Sequence, residues 1–203
     1  KTGLTFLNYR LYSYNYLKTS KRDILPRFGQ VIDINYVHAP FNPDQVGSEV
    51  SVSGILYLPG FLSHNTIRLS AGYLNQVTEE YILNNLISMP RGYEIEKSEQ
   101  FLKLTAYYVF PILYPDLNIW HFLYIKRLKA SIFYDHGIGN NVYVKTEEGD
   151  VKQDLLFRSC GFELTSDFNF MHILFPFDMG IRFSYPLDNA NPKVELLFSI
   201  DIS

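Results

Sequence analysis

The feature that most constrains this chain is an alternation of apolar and polar residues with a period of two, recurring in segments bounded by Gly, Pro, Asn and Asp. In an extended strand successive side chains point to opposite faces, so each segment reads as a strand with one apolar and one polar face. Gly29 to Val37 sets Ile32, Ile34 and Tyr36 against Asp33 and Asn35, and Glu49 to Leu58 sets Val50, Val52, Leu56 and Leu58 against Glu49, Ser51 and Ser53. Thr66 to Leu74 opposes Ile67, Leu69, Ala71 and Tyr73 to Arg68 and Ser70, and Phe101 to Phe110 opposes Leu102, Leu104, Ala106, Tyr108 and Phe110 to Lys103, Thr105 and Tyr107. Arg127 to Asp135, Ser159 to Ser166, Phe177 to Tyr185 and Val194 to Ile202 repeat the pattern, and a further strand lies within Gly3 to Leu17. Helical periodicity is absent, so the fold class is all-β. Most of these strands run to roughly 8 to 11 residues, the length a tilted strand needs to cross a bilayer and longer than the ~5 to 6 usual in soluble sheets.

Charge and hydropathy decide which solvents fit. A net charge of -3 and a pI near 6.0 exclude an electrostatic nucleic-acid binder. The longest apolar run, Ala106 to Pro115, is broken by Pro111, so no helical membrane span is encoded. A mean hydropathy of -0.06 fits a membrane β-barrel, whose strands average lipid-facing and lumen-facing residues. The excess of aromatic residues (16%) and the low charged fraction (19%) suit such a barrel too. Asp33, Arg68, Lys103, Lys129, Glu163, Asp178 and Arg182 all fall on the polar, lumen-facing side of their strands. Long connectors at His38 to Ser48, Gln76 to Gln100 and His136 to Arg158 alternate with shorter ones, as loops and turns do in outer-membrane barrels. Pro111 to Lys126 is the exception, a long connector on the short side. The chain opens at Lys1 directly into a patterned segment, which reads as a mature or truncated piece.

Chemistry is hard to find in these residues. Cys160 is the single cysteine, so no internal disulfide or multi-cysteine metal site exists. His38, His64, His121, His136 and His172 lack ligand spacing, and no nucleophile elbow, Walker loop or dinucleotide fingerprint occurs. No catalytic residue, metal or cofactor is assigned. Asp135 and His136 are neighbours that point to opposite faces of a strand, which prevents them from acting as an acid-base pair.

One ordered constellation stands out. Pro90-Arg91-Gly92-Tyr93 lies in the longest connector, followed by Tyr108-Val109-Phe110-Pro111, Ile132-Phe133-Tyr134-Asp135-His136-Gly137 and Gly161-Phe162-Glu163-Leu164. In order and spacing these segments resemble the barrel of the bacterial surface-antigen superfamily, which contains the BamA-type outer-membrane assembly proteins and the two-partner-secretion translocators. That family carries an Arg-Gly-aromatic tip on its sixth extracellular loop and a Phe-x-Asp-x-Gly strand, matched here by Arg91-Gly92-Tyr93 and by Phe133, Asp135 and Gly137. Arg22-Asp23 with Pro26-Arg27-Phe28-Gly29, Tyr57-Leu58-Pro59-Gly60 and Tyr124-Ile125-Lys126-Arg127 are similar to a Bacteroidetes subgroup. Ile112 replaces the usual Leu, and Ser203 stands where the family ends in an aromatic.

The resemblance implies that residues 1–203 form one partial domain, the last ~9 strands of a barrel of about sixteen. It further implies a bacterial outer-membrane location, no enzymatic activity, and partners among outer-membrane lipid, client polypeptides, and the missing amino-terminal strands or other subunits. A passive pore, a structural barrel and a soluble carrier remain alternatives. Independently of family, a long loop folded into a polar lumen needs an anchor. An arginine on a tight glycine turn can hydrogen-bond a carboxylate and stack on a ring at once. Arg91, Gly92 and Tyr93 are therefore expected to meet Phe133 and Asp135, which share one strand face.

Overall fold

A computed structural model describes residues 5–17, 20, 23–41, 47–77, 83–94, 96–119, 123–146, 149–170, 177–188 and 191–200. Every regular element among them is a strand: β1 (Leu7–Tyr16), β2 (Gly29–His38), β3 (Ser48–Pro59), β4 (Thr66–Val77), β5 (Lys97–Leu113), β6 (Leu117–Ile119), β7 (Leu123–Thr146), β8 (Gly149–Phe170), β9 (Phe177–Pro186) and β10 (Lys193–Ile200). They form one antiparallel ten-stranded sheet in the order β1-β2-β3-β4-β5-β7-β8-β9-β10, with the short β6 paired to β7. The sheet is not closed. β1 and β10 are its two edges.

Burial follows the sequence parity, with polarity inverted relative to a water-soluble sheet. Along β7, Ser131, Phe133 and Asp135 are 2%, 4% and 0% exposed, while the intervening Ile132 and Tyr134 are 53% and 42% exposed. Leu104, Phe162, Ile181, Leu196 and Phe198 are likewise exposed on the apolar face, and Ser51, Thr105, Ser159 and Glu163 are buried on the other.

The sheet curls around that polar face. One cavity of 310 Å³ is lined by Arg68 of β4, Tyr107 of β5, Lys129 of β7, Glu163 of β8, Arg182 of β9 and Leu197 of β10. At ~4.8 Å per strand the spacings from β4 to β10 span roughly 24 Å when flat, too wide for so small a space.

Two connectors fill the curl. From one end Asp23 to Leu25 reach inward: His64 Nδ1 lies 2.7 Å from Asp23 Oδ1, Arg127 donates to the Asp23 carbonyl, and Thr66 donates to that of Leu25. From the other end the segment after β4 crosses the inner face, its Leu86 N–H donating to Glu49 of β3. Beneath this segment the inner face turns apolar. Leu74, Phe101, Val142 and Phe157 form a buried cluster against which Ile87, Met89 and Tyr93 of the loop pack.

Two connectors are shorter than the sequence pattern suggests. The long connector expected at His136 to Arg158 is mostly strand, because β7 runs to Thr146 and β8 starts at Gly149. Gly137 and Gly139 leave inner positions without side chains, and a register shift between Gly139 and Val142, with Asn141 at φ 51°, changes the parity. Alternation is lost there while pairing continues. The Pro111 to Lys126 exception shrinks too: β5 continues through a bulge to Leu113, and β6 folds back on β7. Residues 201–203, at the end of the last predicted strand, lie outside the described residues, as do Trp120, His121 and His172.

Candidate functional site

The site is built where the loop after β4 meets β7. Residues 90 to 93 form a β-turn closed by a hydrogen bond from Tyr93 N–H to the Pro90 carbonyl (3.3 Å). Gly92 occupies its third position with φ 87°, which side-chain-bearing residues rarely adopt. A Cβ there would also stand 3.1 Å from Pro186 and 3.2 Å from Ser184 of β9. The turn thus presents Arg91 to the sheet.

Three inner-face residues of β7 each receive a different part of this turn. The ring of Phe133 lies under the Arg91 guanidinium, 4.0 Å from Cζ to ring centre. Asp135 Oδ2 accepts the Arg91 backbone N–H at 3.0 Å and stands 3.6 Å from Arg91 Nε. Gly137 has no side chain because Pro90 fills that space, 2.8 Å from where a Cβ would be. The Phe-x-Asp-x-Gly spacing therefore has a direct physical meaning here: a platform, an acceptor and a vacancy, two residues apart along one face. Gly161, opposite Phe133 on β8, plays a supporting part. A Cβ on it would stand 2.6 Å from the Phe133 ring and 2.0 Å from the Phe183 carbonyl.

Tyr93 secures the other side of the turn. Its ring meets Phe157 edge-on at 5.1 Å, and its hydroxyl donates to the Arg158 carbonyl at 2.9 Å. Asp188, just beyond β9, accepts from both the backbone N–H (2.8 Å) and the guanidinium of Arg158. The side-chain hydrogen bond from Arg158 holds the Asp188 carboxyl below the usual carboxylate range. Burial pushes the Tyr93 hydroxyl above the ordinary tyrosine value.

Charges extend from this point over the inner face. Arg91 Nη1 is 3.6 Å from Glu163 Oε1, Glu163 accepts from Arg182 at 2.7 Å and from the Tyr107 hydroxyl at 2.9 Å, and Arg182 also reaches Glu195. Lys103 donates to the Ser88 hydroxyl and the Met89 carbonyl of the loop, and Arg68 stacks on Tyr107 at 4.7 Å.

Of the residues singled out from sequence, Arg91, Gly92, Tyr93, Phe133 and Asp135 are thus brought together, and Arg68, Lys103, Glu163 and Arg182 adjoin them. Three others sit elsewhere on the same face. Asp33 is held by Arg10 at the β1–β2 edge, and Lys129 pairs with both Asp178 and Asp167 toward the opposite end. Tyr107, Asp188 and Glu195 were not singled out as site residues, and Gly161 entered only as part of the Gly161-Phe162-Glu163-Leu164 segment. Their roles depend on cross-strand register, which no local motif carries. Among the described residues no group of three or more His, Cys, Asp or Glu could hold a metal ion.

No protein-family model, curated protein sequence or solved structure matches the chain.

Proposed function

We propose that this chain is the carboxy-terminal part of a transmembrane β-barrel of the bacterial outer membrane, of the surface-antigen type, acting without enzymatic chemistry on unfolded polypeptide or lipid. The observation that carries the membrane part is the inverted polarity of the sheet. Its apolar side chains are exposed and its charges are enclosed. Water-soluble monomers rarely expose apolar patches beyond a few hundred Å², and in hydrocarbon this arrangement is the stable one. Backbone groups in lipid must all be paired, so the edges of β1 and β10 call for further strands, as in a barrel of about sixteen.

The assembly or translocation part rests on the in-folded loop. A loop pinned by Pro90, Arg91 and Tyr93 to β5, β7 and β8 narrows the interior and couples the loop to the wall. The alternative of a passive pore needs no such anchor. A soluble carrier would place the apolar face inward.

The test uses the full-length protein in its native host. Extraction with carbonate should leave it in the membrane fraction, and Arg91→Ala should impair assembly or export of client proteins while the variant still reaches the outer membrane. Full client handling by a correctly inserted Arg91→Ala protein would refute the translocation reading and leave a passive barrel.

A further inference from the structure

We infer that the inner face carries a carboxylate-binding site centred on Arg68 and Tyr107. Two guanidinium groups share one aromatic platform, with Arg68 Cζ 4.7 Å and Arg91 Cζ 5.2 Å from the Tyr107 ring centre. Stacking on a ring leaves the donors of a guanidinium free to point along its own plane. Nε of Arg68 is buried with no hydrogen-bond partner, and Nη1 of Arg91 is buried with no acceptor closer than the Glu163 carboxylate at 3.6 Å. Arg68 forms no ion pair among the described residues. Buried donors without acceptors are costly, and in native proteins they normally find a partner.

Space for that partner is present. Arg68 lines both the 310 Å³ cavity on one side and a 740 Å³ cavity under the loop on the other, the latter shared with Ser70, Arg91, Lys103 and Arg182. The charge count selects the ligand. In this neighbourhood four cations, Arg68, Arg91, Lys103 and Arg182, face three carboxylates, Asp135, Glu163 and Glu195. One positive charge is left unmatched. A planar carboxylate group brings one negative charge to these donors and can take a fork of guanidinium donors side-on, whereas a phosphate dianion concentrates two charges on one tetrahedral centre. The carboxylate can belong to an acidic peptide or to a free organic acid, and the site makes the same contacts with either. The inference stands on the inner-face geometry alone and holds whichever solvent covers the outer face.

The experiment titrates the full-length protein in detergent with a fluorescein-labelled tri-glutamate peptide, read by anisotropy, with succinate, inorganic phosphate and a tri-glutamine peptide as competitors. The expected result is saturable binding that weakens at least ten-fold in Arg68→Gln, is only partly retained in Arg68→Lys, which keeps the charge but loses the planar fork, and is unchanged in Arg10→Gln, whose guanidinium is occupied by Asp33. Tri-glutamine should not compete. Competition by succinate equal to that of unlabelled tri-glutamate assigns the site to free carboxylates, and weaker competition assigns it to peptides. Absence of binding to the wild-type protein, equal binding by Arg68→Gln, or displacement by phosphate at lower concentration than by either carboxylate would overturn the inference. Circular dichroism matching wild type keeps a loss in Arg68→Gln from being read as misfolding.

Discussion

At the scale of single residues, Asp135 shows how little sequence is needed to hold a loop once the fold has placed it. Its carboxylate is fully buried, and one oxygen takes the Arg91 N–H. Removing the Arg91 guanidinium leaves the Asp135 carboxylate buried with only a backbone N–H, and removing Asp135 leaves Arg91 with Glu163 alone; breaking a buried pair costs up to ~3 to 5 kcal/mol. Arg91→Ala and Asp135→Ala should each lower unfolding stability, and the double variant should lose less than the sum, as a double-mutant cycle on thermal unfolding will read. Gly137 has a purely steric duty. Gly137→Val should displace Pro90 and cost about 1 to 3 kcal/mol, seen as faster hydrogen exchange across residues 83–94 with the strands unaffected. Asp188 supplies the pH dependence. Its carboxyl lies below the unfolded carboxylate value because Arg158 hydrogen-bonds it. Its contribution is therefore complete above the ordinary carboxylate range of about 4 and is lost as pH falls through the lowered folded value. The protection of amides near Tyr93, taken relative to their intrinsic exchange rates at each pH, should fall on acidification in the wild type and be low and less pH-dependent in Asp188→Asn.

At the scale of elements, β7 and β8 form the longest pairing in the sheet. Their outward residues Ile132 and Phe162 are direct register partners and about half exposed. In a bilayer, arginine or lysine at such a place costs ~2 to 4 kcal/mol at the midplane. In water it costs little or improves solubility. Ile132→Lys and Phe162→Arg should therefore reduce folding into lipid vesicles, whereas Ser131→Thr on the inner face should not. Wild-type folding yields for both lysine and arginine variants would argue that lipid does not cover this face. The bulges of β5 and β7 belong to this scale as well. They let strands continue where alternation fails, which is why the hairpin was legible only as a connector.

At the scale of the whole molecule, the open sheet is the dominant fact. Its order leaves β1 and β10 unpaired with each other, so the two edges should not cross-link. In a Cys160→Ser background of the full-length protein, the pair Leu11→Cys with Ile34→Cys spans neighbours in register and should form a disulfide. Leu11→Cys with Leu196→Cys, both on the exposed face, should not, because disulfides need Cα atoms within ~7 Å. Efficient cross-linking of the second pair would mean that the ten strands close on themselves. The two inward connectors also belong to this scale. Asp23 and His64, 41 residues apart, seal one end, and the loop on Asp135 and Gly137 seals the other.

The sequence by itself determined the all-β class, nine of the ten strands and, within the alternating stretches, the face on which each residue lies, because a period of two converts residue parity directly into orientation. Parity also placed Phe133, Asp135 and Gly137 on one face, and the glycine turn made Arg91 a candidate anchor. Only the tertiary structure decided which strands curl far enough to share a cavity, since curvature sums small twists over many strands and leaves no local pattern. It decided too that Tyr107 lies beneath two guanidiniums and that Gly161 makes room for Phe133. Those contacts are set by register between segments distant in the chain. The apolar cluster of Leu74, Phe101, Val142 and Phe157 breaks the polar-inside pattern for the same reason: it exists where the loop returns, and nothing in those strands alone says where a loop will land.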